Sequence, residues 1–211
     1  MKKALFFVAL ATLLLQAVNV KAQLGFHAGY APQNLIVKGP AVAERESVST
    51  LYHGFFGGIH YNFDIVGDFG FTPAVQIRVN SANGNDGQYE TQDWQFVIDV
   101  PLMLNYDFDL GHDVSLGLLA GPMLSYGFSF TRKYKDMTTH AAVHAVNRYG
   151  DDLNYPDLAL RRFEIGAAGG LFVEYRGFML FGGYRLGFND LDKMDNSVTK
   201  ARGFFVGISI N

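Results

Sequence analysis

Not one of the 211 residues is a cysteine. An exported chain of this composition must hold its fold without disulfides, and a lipid carried on an N-terminal cysteine is excluded. Long apolar runs are also missing beyond the first segment, so a membrane-embedded mature chain would have to be a closed barrel, because hydrocarbon leaves unpaired strand edges without water. Positive charge is scarce as well. The opening "MKKALFFVALATLLLQAVNVKA" has basic Lys2 and Lys3, an apolar core from Ala4 to Val18 and small residues at its end, which predicts a signal peptide over residues 1–22, cut before Gln23. That core is shorter than the ~20 apolar residues a membrane helix needs. Without Lys2, Lys3 and Lys21 the 17 basic residues fall to 14 against 20 acidic ones, a formal charge of −6, which argues against a nucleic-acid partner.

What is present points to strands. Aromatic residues make up 15% of the chain and there are 24 glycines, and residues 23–211 are of a size for one domain. In "DVSLGLLAGPMLSYGFSF" (113–130) the set Val114, Leu116, Leu118, Ala120, Pro122, Leu124, Tyr126, Phe128 and Phe130 alternates with small or polar residues, the period of a strand. Segments 23–33, 51–65, 71–80, 94–108, 162–175, 178–189 and 202–211 alternate likewise, making eight strands. Tight turns rich in Gly and Asp fall at 66–70, 109–113 and 176–177. Longer polar connections run over 34–50, 81–93, 131–161 and 190–201, with a short helix expected around His140–Val146. Short turns at one end alternating with long loops at the other predict an all-β, eight-stranded antiparallel up-and-down transmembrane barrel, located in the outer membrane.

The two faces of the strands differ. One carries Ile98, Leu118, Leu180 and their like, without a charge, and is assigned to lipid. Aromatic girdles are expected at its borders: Tyr61, Phe63, Phe71, Tyr106, Phe108, Tyr175 and Phe178 toward the turns, and Trp94, Phe96, Tyr126, Phe128, Phe163 and Phe188 toward the loops. The opposite face mixes glycines (Gly58, Gly117, Gly121, Gly166, Gly170, Gly183, Gly207) with His60, Gln76, Arg78, Gln95, Asp99, Glu164, Glu174 and Arg185. Eight strands enclose a bore just wide enough for side chains to fill, so Arg78, Asp99, Glu164, Glu174 and Arg185 are expected to form a charge network there. Arg78 is expected to pair with Asp99, and Glu164 and Glu174 to serve Arg185.

The stretches "FEIGAAGGLFVEYRGFMLFGGYRLGFNDL", "ARGFFVGISI", "DVPLMLNYDF" and "LGLLAGPMLSYGFS" resemble the PorT-like outer-membrane β-barrel family, itself similar to the small OmpA and OmpX barrels. The resemblance covers residues 23–211 and implies the fold more than a role, since the family has no catalytic motif to carry over. Such barrels usually close on a terminal aromatic, whereas this chain ends "GISIN"; Phe204 and Phe205 are the nearest substitutes for recognition by the insertion machinery. Pro101 and Pro122 lie inside strands, where each lacks a ladder donor and so counts against the assignment; they fall almost opposite one another across the hairpin, where one shared bulge could absorb both, a question the sequence leaves open.

Chemistry is sparse. His140 and His144 in "THAAVHAV" would share a helix face as a metal pair does, but no glutamate follows the first histidine, a third ligand would have to come from Asp151, Asp152 or elsewhere, and a polar loop helix explains them equally well. A hydrolase would need a serine beside an oriented histidine, and His27, His53, His60 and His112 show no serine partner in the sequence. The reading is therefore a non-enzymatic structural or interaction barrel with no cofactor, meeting outer-membrane lipid through its wall and an unidentified protein partner through loops 131–161 and 34–50. A ligand-binding or small-solute transport barrel is the alternative, and a lipid-modifying enzyme a further one.

Overall fold

The computed structural model describes residues 22–38, 48–85, 89–139, 141–150, 159–193 and 198–211. The signal segment up to residue 21, His140, Asp151 and Asp152 lie outside them. Among the described residues ten strands form: β1 (Ala22–Tyr30), β2 (Gln33–Lys38), β3 (Val48–Val66), β4 (Phe69–Asn85), β5 (Tyr89–Gly111), β6 (Val114–Asp136), β7 (Ala142–Asn147), β8 (Phe163–Tyr175), β9 (Phe178–Gly187) and β10 (Val198–Ile210). They occupy eight positions in one wall. β1 and β2 are a single wall strand interrupted at Ala31 and Pro32, since both lie between β3 and β10. β7 continues above β8 on the same flank of β6. Pairing of β1 with β10, from Phe26↔Ile210 to Tyr30↔Val206, closes the ring. Every pairing is antiparallel.

Three tight turns close one end. Arg176 and Gly177 both take positive φ, 52° and 80°, the pair of conformations that a two-residue hairpin turn requires to match strand twist. Gly67 and Gly111 likewise take positive φ at the other two turns, the latter followed by His112 and Asp113.

At the opposite end the strands run further than the alternation predicts. β5 and β6 have 23 residues each, about twice what a tilted strand needs to cross hydrocarbon. Segments 81–85, 89–93 and 131–136, expected as loop, continue the ladder, with Asn85↔Glu90 and Tyr89↔Asp136 near its end. Above the lipid the outer face no longer needs to be apolar, so the hydrophobic period disappears while the backbone hydrogen bonds persist. Over the described residues from 142 on, β7 stands where a helix was expected around His140–Val146, its Val146 pairing with Arg132 and Ala145 with Lys133.

The exterior is apolar. Phe55 is 65% exposed, Leu180 52% and Leu118 49%, which in water would be a large unfavourable surface and in hydrocarbon is not. Aromatic rings pair along its borders, Phe69 with Tyr106 and Tyr106 with Phe108 near the turns, Phe96 with Phe128 nearer the loops. Trp94, Tyr126, Phe163 and Phe188 also face outward on the loop side, and Tyr61, Tyr175 and Phe178 on the turn side, while Phe63 and Phe71 stack together half-buried.

One strand detail departs from expectation, and a second answers what the sequence left open. Between β5 and β6 the partners pass from Phe96↔Ser129 to Val97↔Gly127, leaving Phe128 as an extra residue. This bulge reverses the faces above it, so Phe130, expected outside, points inward and is fully buried. The prolines do not share a bulge. The β5–β6 ladder lapses between Pro101↔Met123 and Leu104↔Ala120 and resumes in unchanged register; a missing donor removes a bond without displacing the strand.

Candidate functional site

The inward face of the barrel sorts into three layers. In the middle one, β4 presents Gln76 and Arg78, β5 Asp99, β8 Glu164 and β9 Arg185. Gln76 is paired with Asp99 across the β4–β5 ladder, which brings Arg78 within reach. Arg78 donates from Nε to Asp99 Oδ2 at 2.7 Å and from Nη2 to Oδ1 at 3.1 Å, and from Nη1 to Gln33 Oε1 at 2.6 Å. Arg185 Nη2 donates to both Glu164 oxygens, at 3.1 and 3.3 Å, and its Nη1 stands 4.0 Å from Asp99. Side-chain exposure is 1% for Arg78 and 0% for Asp99. Charges so withdrawn from water persist only when paired, and here two cations meet two anions. Glu174 is not part of this layer: it is half-buried near the turn end and makes no ion pair with Arg185.

Above lies a cap. Asn80 donates to Gln95, and Gln95 to the Tyr149 hydroxyl. Higher still, Asp93 accepts from Tyr52 at 2.6 Å and from Arg132 at 2.7 and 2.6 Å. Arg148 donates to the Tyr52 hydroxyl and lies over the Phe130 ring. Leu35, Tyr52, Ala82, Phe130, Tyr149, Leu160, Leu191 and Ala201 pack into a buried cluster across this end. Burial pushes the Tyr52 hydroxyl well above the usual phenol range; Arg148 opposes and Asp93 reinforces that rise. The bulge at Phe128 makes this cap possible, because it turns Phe130 and Arg132 inward.

Below the charged layer the bore is not filled. A cavity of about 230 Å³ lies there, lined by residues that include Arg78 and Arg185 at its inner end and exposed Gln23 and Asp64 at the turn end, where it opens. Its wall also holds a chain of hydrogen bonds that the sequence did not reveal. Gln76 Nε2 donates to Asp99 at 3.2 Å, Gln76 Oε1 is 2.9 Å from His27 Nε2, His27 Nδ1 is 3.2 Å from His60 Nδ1, and His60 Nε2 is 3.3 Å from Ser209 Oγ. The polarity of the chain follows from its anchored end. A carboxylate only accepts, so Gln76 turns its NH₂ to Asp99 and its oxygen to His27. His27 then carries its hydrogen on Nε2, His60 on Nδ1, and His60 Nε2 is left to accept from Ser209. The Asn211 amide, whose Oδ1 stands 2.8 Å from the same nitrogen, then turns its NH₂ there and shares the single lone pair with the longer Ser209 contact, an orientation that hydrogen-bond logic and not atom position decides. Ser209 is thus the partner that His60 lacked in the sequence; only the closure of β1 on β10 brings it near.

The other singled-out histidines do not join. His53 accepts or donates at the Tyr30 hydroxyl, His112 is a turn residue at positive φ, and His144 stacks on Tyr134 at 4.3 Å. Among the described residues no group of three metal-ligating side chains is placed to hold an ion.

No family model matches the chain, and no curated protein matches it. Solved structures do. The outer membrane protease OmpT from Escherichia coli matches with TM-score 0.50 and 10% identity, over 92% of this chain and 99% of that one. The fold is that of an outer-membrane β-barrel. Ail, the attachment invasion locus protein of Yersinia pestis, matches at TM-score 0.43 and 13% identity over 90% and 97% of the two chains, and Neisserial surface protein A at 0.41 and 15% over 88% and 96%. At such identities the likeness concerns architecture alone. A closed antiparallel wall whose exterior carries a broad apolar band places the protein in the outer membrane as an integral barrel.

Proposed function

We propose that the protein is a non-enzymatic, non-conducting outer-membrane barrel that acts as a structural or interaction protein through its outward extension, in keeping with the resemblance to PorT-like barrels and an envelope- or secretion-associated role. The observation that carries this reading is the double closure of the bore, by the four paired charges of the middle layer and by the cap above them. A solute path through the middle would require breaking buried ion pairs. The working surface is then outside. β6 and β7 rise beyond the girdle as a hairpin that exposes apolar Met137 and Val143, side chains that lipid does not cover at that height and that suit a protein partner.

The test is co-purification from detergent-solubilised outer membranes, using the full chain and a Met137→Glu, Val143→Glu variant. A protein retained by the first and lost from the second is the expected result. An identical set of co-purifying proteins from both would overturn the assignment of this hairpin as the contact surface.

A further inference from the structure

The cavity under the charged layer has no part in that reading, yet it has a definite chemistry. About 230 Å³, against ~30 Å³ for one water in the liquid, is room for a medium-length chain. From Arg185 toward the mouth β9 turns Gly183, Phe181 and Met179 inward, a run of ~20 Å at ~3.3 Å per residue. Phe205 packs beside Phe181, and Phe172 and Met123 line the same space. This wall of the middle zone is apolar, and it faces the polar chain of Gln76, His27, His60 and Ser209 across the cavity.

Its inner end is polar and incompletely satisfied. Arg185 is 3% exposed. Only its Nη2 has hydrogen-bond acceptors, both on Glu164; Nε has none, and Nη1 is held 4.0 Å from Asp99, outside hydrogen-bond reach. Buried donors left without acceptors are costly, and a cavity-facing guanidinium in that condition suits a ligand that brings an oxygen.

The charge of that ligand is decided by its surroundings. Arg78 and Arg185 are already balanced by Asp99 and Glu164, so a further anion would leave the layer net negative in a medium that screens poorly. The mouth adds to this. Asp64, Asp107 and Glu174 line it without an ion pair among the described residues, and they repel an anion on entry while an uncharged molecule meets no such barrier.

We infer that the lumen cavity binds an uncharged medium-chain acyl compound, an amide or ester, whose carbonyl oxygen accepts from the Arg185 guanidinium while its chain lies along Phe181, Phe205, Phe172 and Met179. Entry is from the turn end. This site does not depend on the hairpin described above.

Octanamide, octanoate and octylammonium are the probes, titrated into the refolded full-length barrel in a sterol-based detergent too bulky for the mouth. The readout is the methyl NMR signals of Met103, Met123 and Met179, with Met137 outside the lumen as control. Octanamide is expected to shift the three lumen methyls saturably and leave Met137 unmoved, with octanoate and octylammonium each at least about tenfold weaker. Added salt should narrow the octanoate gap by screening the mouth. The paired change Arg185→Gln with Glu164→Gln, which keeps the layer neutral, should weaken octanamide about tenfold. Leu119→Trp, which fills the cavity without touching a charge, should abolish binding. Octanoate binding as tightly as octanamide, binding unaffected by Leu119→Trp, or no saturable shift at all, leaving water as the only occupant, would each overturn the inference.

Discussion

Replacing Asp99 by alanine tests the charged layer most sharply. The substitution removes the acceptor of two Arg78 bonds and of one from Gln76, and leaves Arg78 and Arg185 facing each other with Glu164 as the single remaining anion. Truncating one member of a buried pair costs about 3–5 kcal/mol, because the surviving charge is left uncompensated. Arg78→Ala removes the other half and frees Gln33 as well. In the double variant neither uncompensated charge of the pair remains, so its loss should be smaller than the sum of the single losses by about 1–3 kcal/mol. The assay is urea-driven unfolding and refolding in lipid vesicles, followed by the single tryptophan, Trp94, which lies outward at the loop-side girdle. Single-variant losses that add within about 0.5 kcal/mol would refute the reasoning, since a bidentate pair at 1% and 0% exposure cannot be energetically independent.

Depth in the lipid band should govern a second substitution: Ile98→Arg, on the outward face, should cost about 2–4 kcal/mol, whereas Leu110→Arg beside the turn should cost about 0–1, as measured by the same vesicle unfolding. Gly117→Val should fail from inside, because a side chain there meets the Phe172 ring and the Tyr106 carbonyl oxygen, the latter 2.7 Å from the added carbon. The loss is expected at about 1–3 kcal/mol, read as a lower temperature for loss of the compact band in unboiled gel samples. In the cap, burial raises the Tyr52 hydroxyl above its unfolded value, so the folded barrel favours the neutral phenol. Its contribution is complete below about pH 10 and is lost as pH rises toward the folded value; Tyr52→Phe should flatten that alkaline decline, and an unchanged pH profile would count against the buried Asp93 contact.

The lipid-spanning part of the wall was legible because lipid imposes a period of two: Ile98, Leu104 and Leu180 are outward in the sequence pattern and in the fold. Outside the lipid that constraint ends, and legibility ends with it. Residues 81–85 and 89–93 read as loop from their polar composition, yet their backbones continue the ladder. One inserted residue at Phe128 was enough to reverse the faces above it, and no local propensity marks such a bulge. Phe130 and Arg132, on which the cap depends, were misplaced or missed for that reason. Inside, parity put Gln76, Arg78, Asp99 and Arg185 on one face. It could not say that His27, His60 and Ser209 would meet, because their contact depends on closing β1 against both β3 and β10, a register that strand patterns alone do not carry. The cavity was illegible for a related reason: whether eight strands fill their bore depends on how glycines and large side chains fall in each layer, not on the number of strands.

The claim on which the rest stands is that the barrel spans the membrane with its bore closed, and single-channel recording of the purified, refolded protein in planar bilayers tests it most directly. Wild-type protein inserted in the bilayer is expected to show no steady conductance, while a variant with Arg78, Asp99, Glu164 and Arg185 all replaced by alanine conducts only if the cap over Phe130 and Tyr149 is also opened. Stable open channels from the wild-type chain would contradict it.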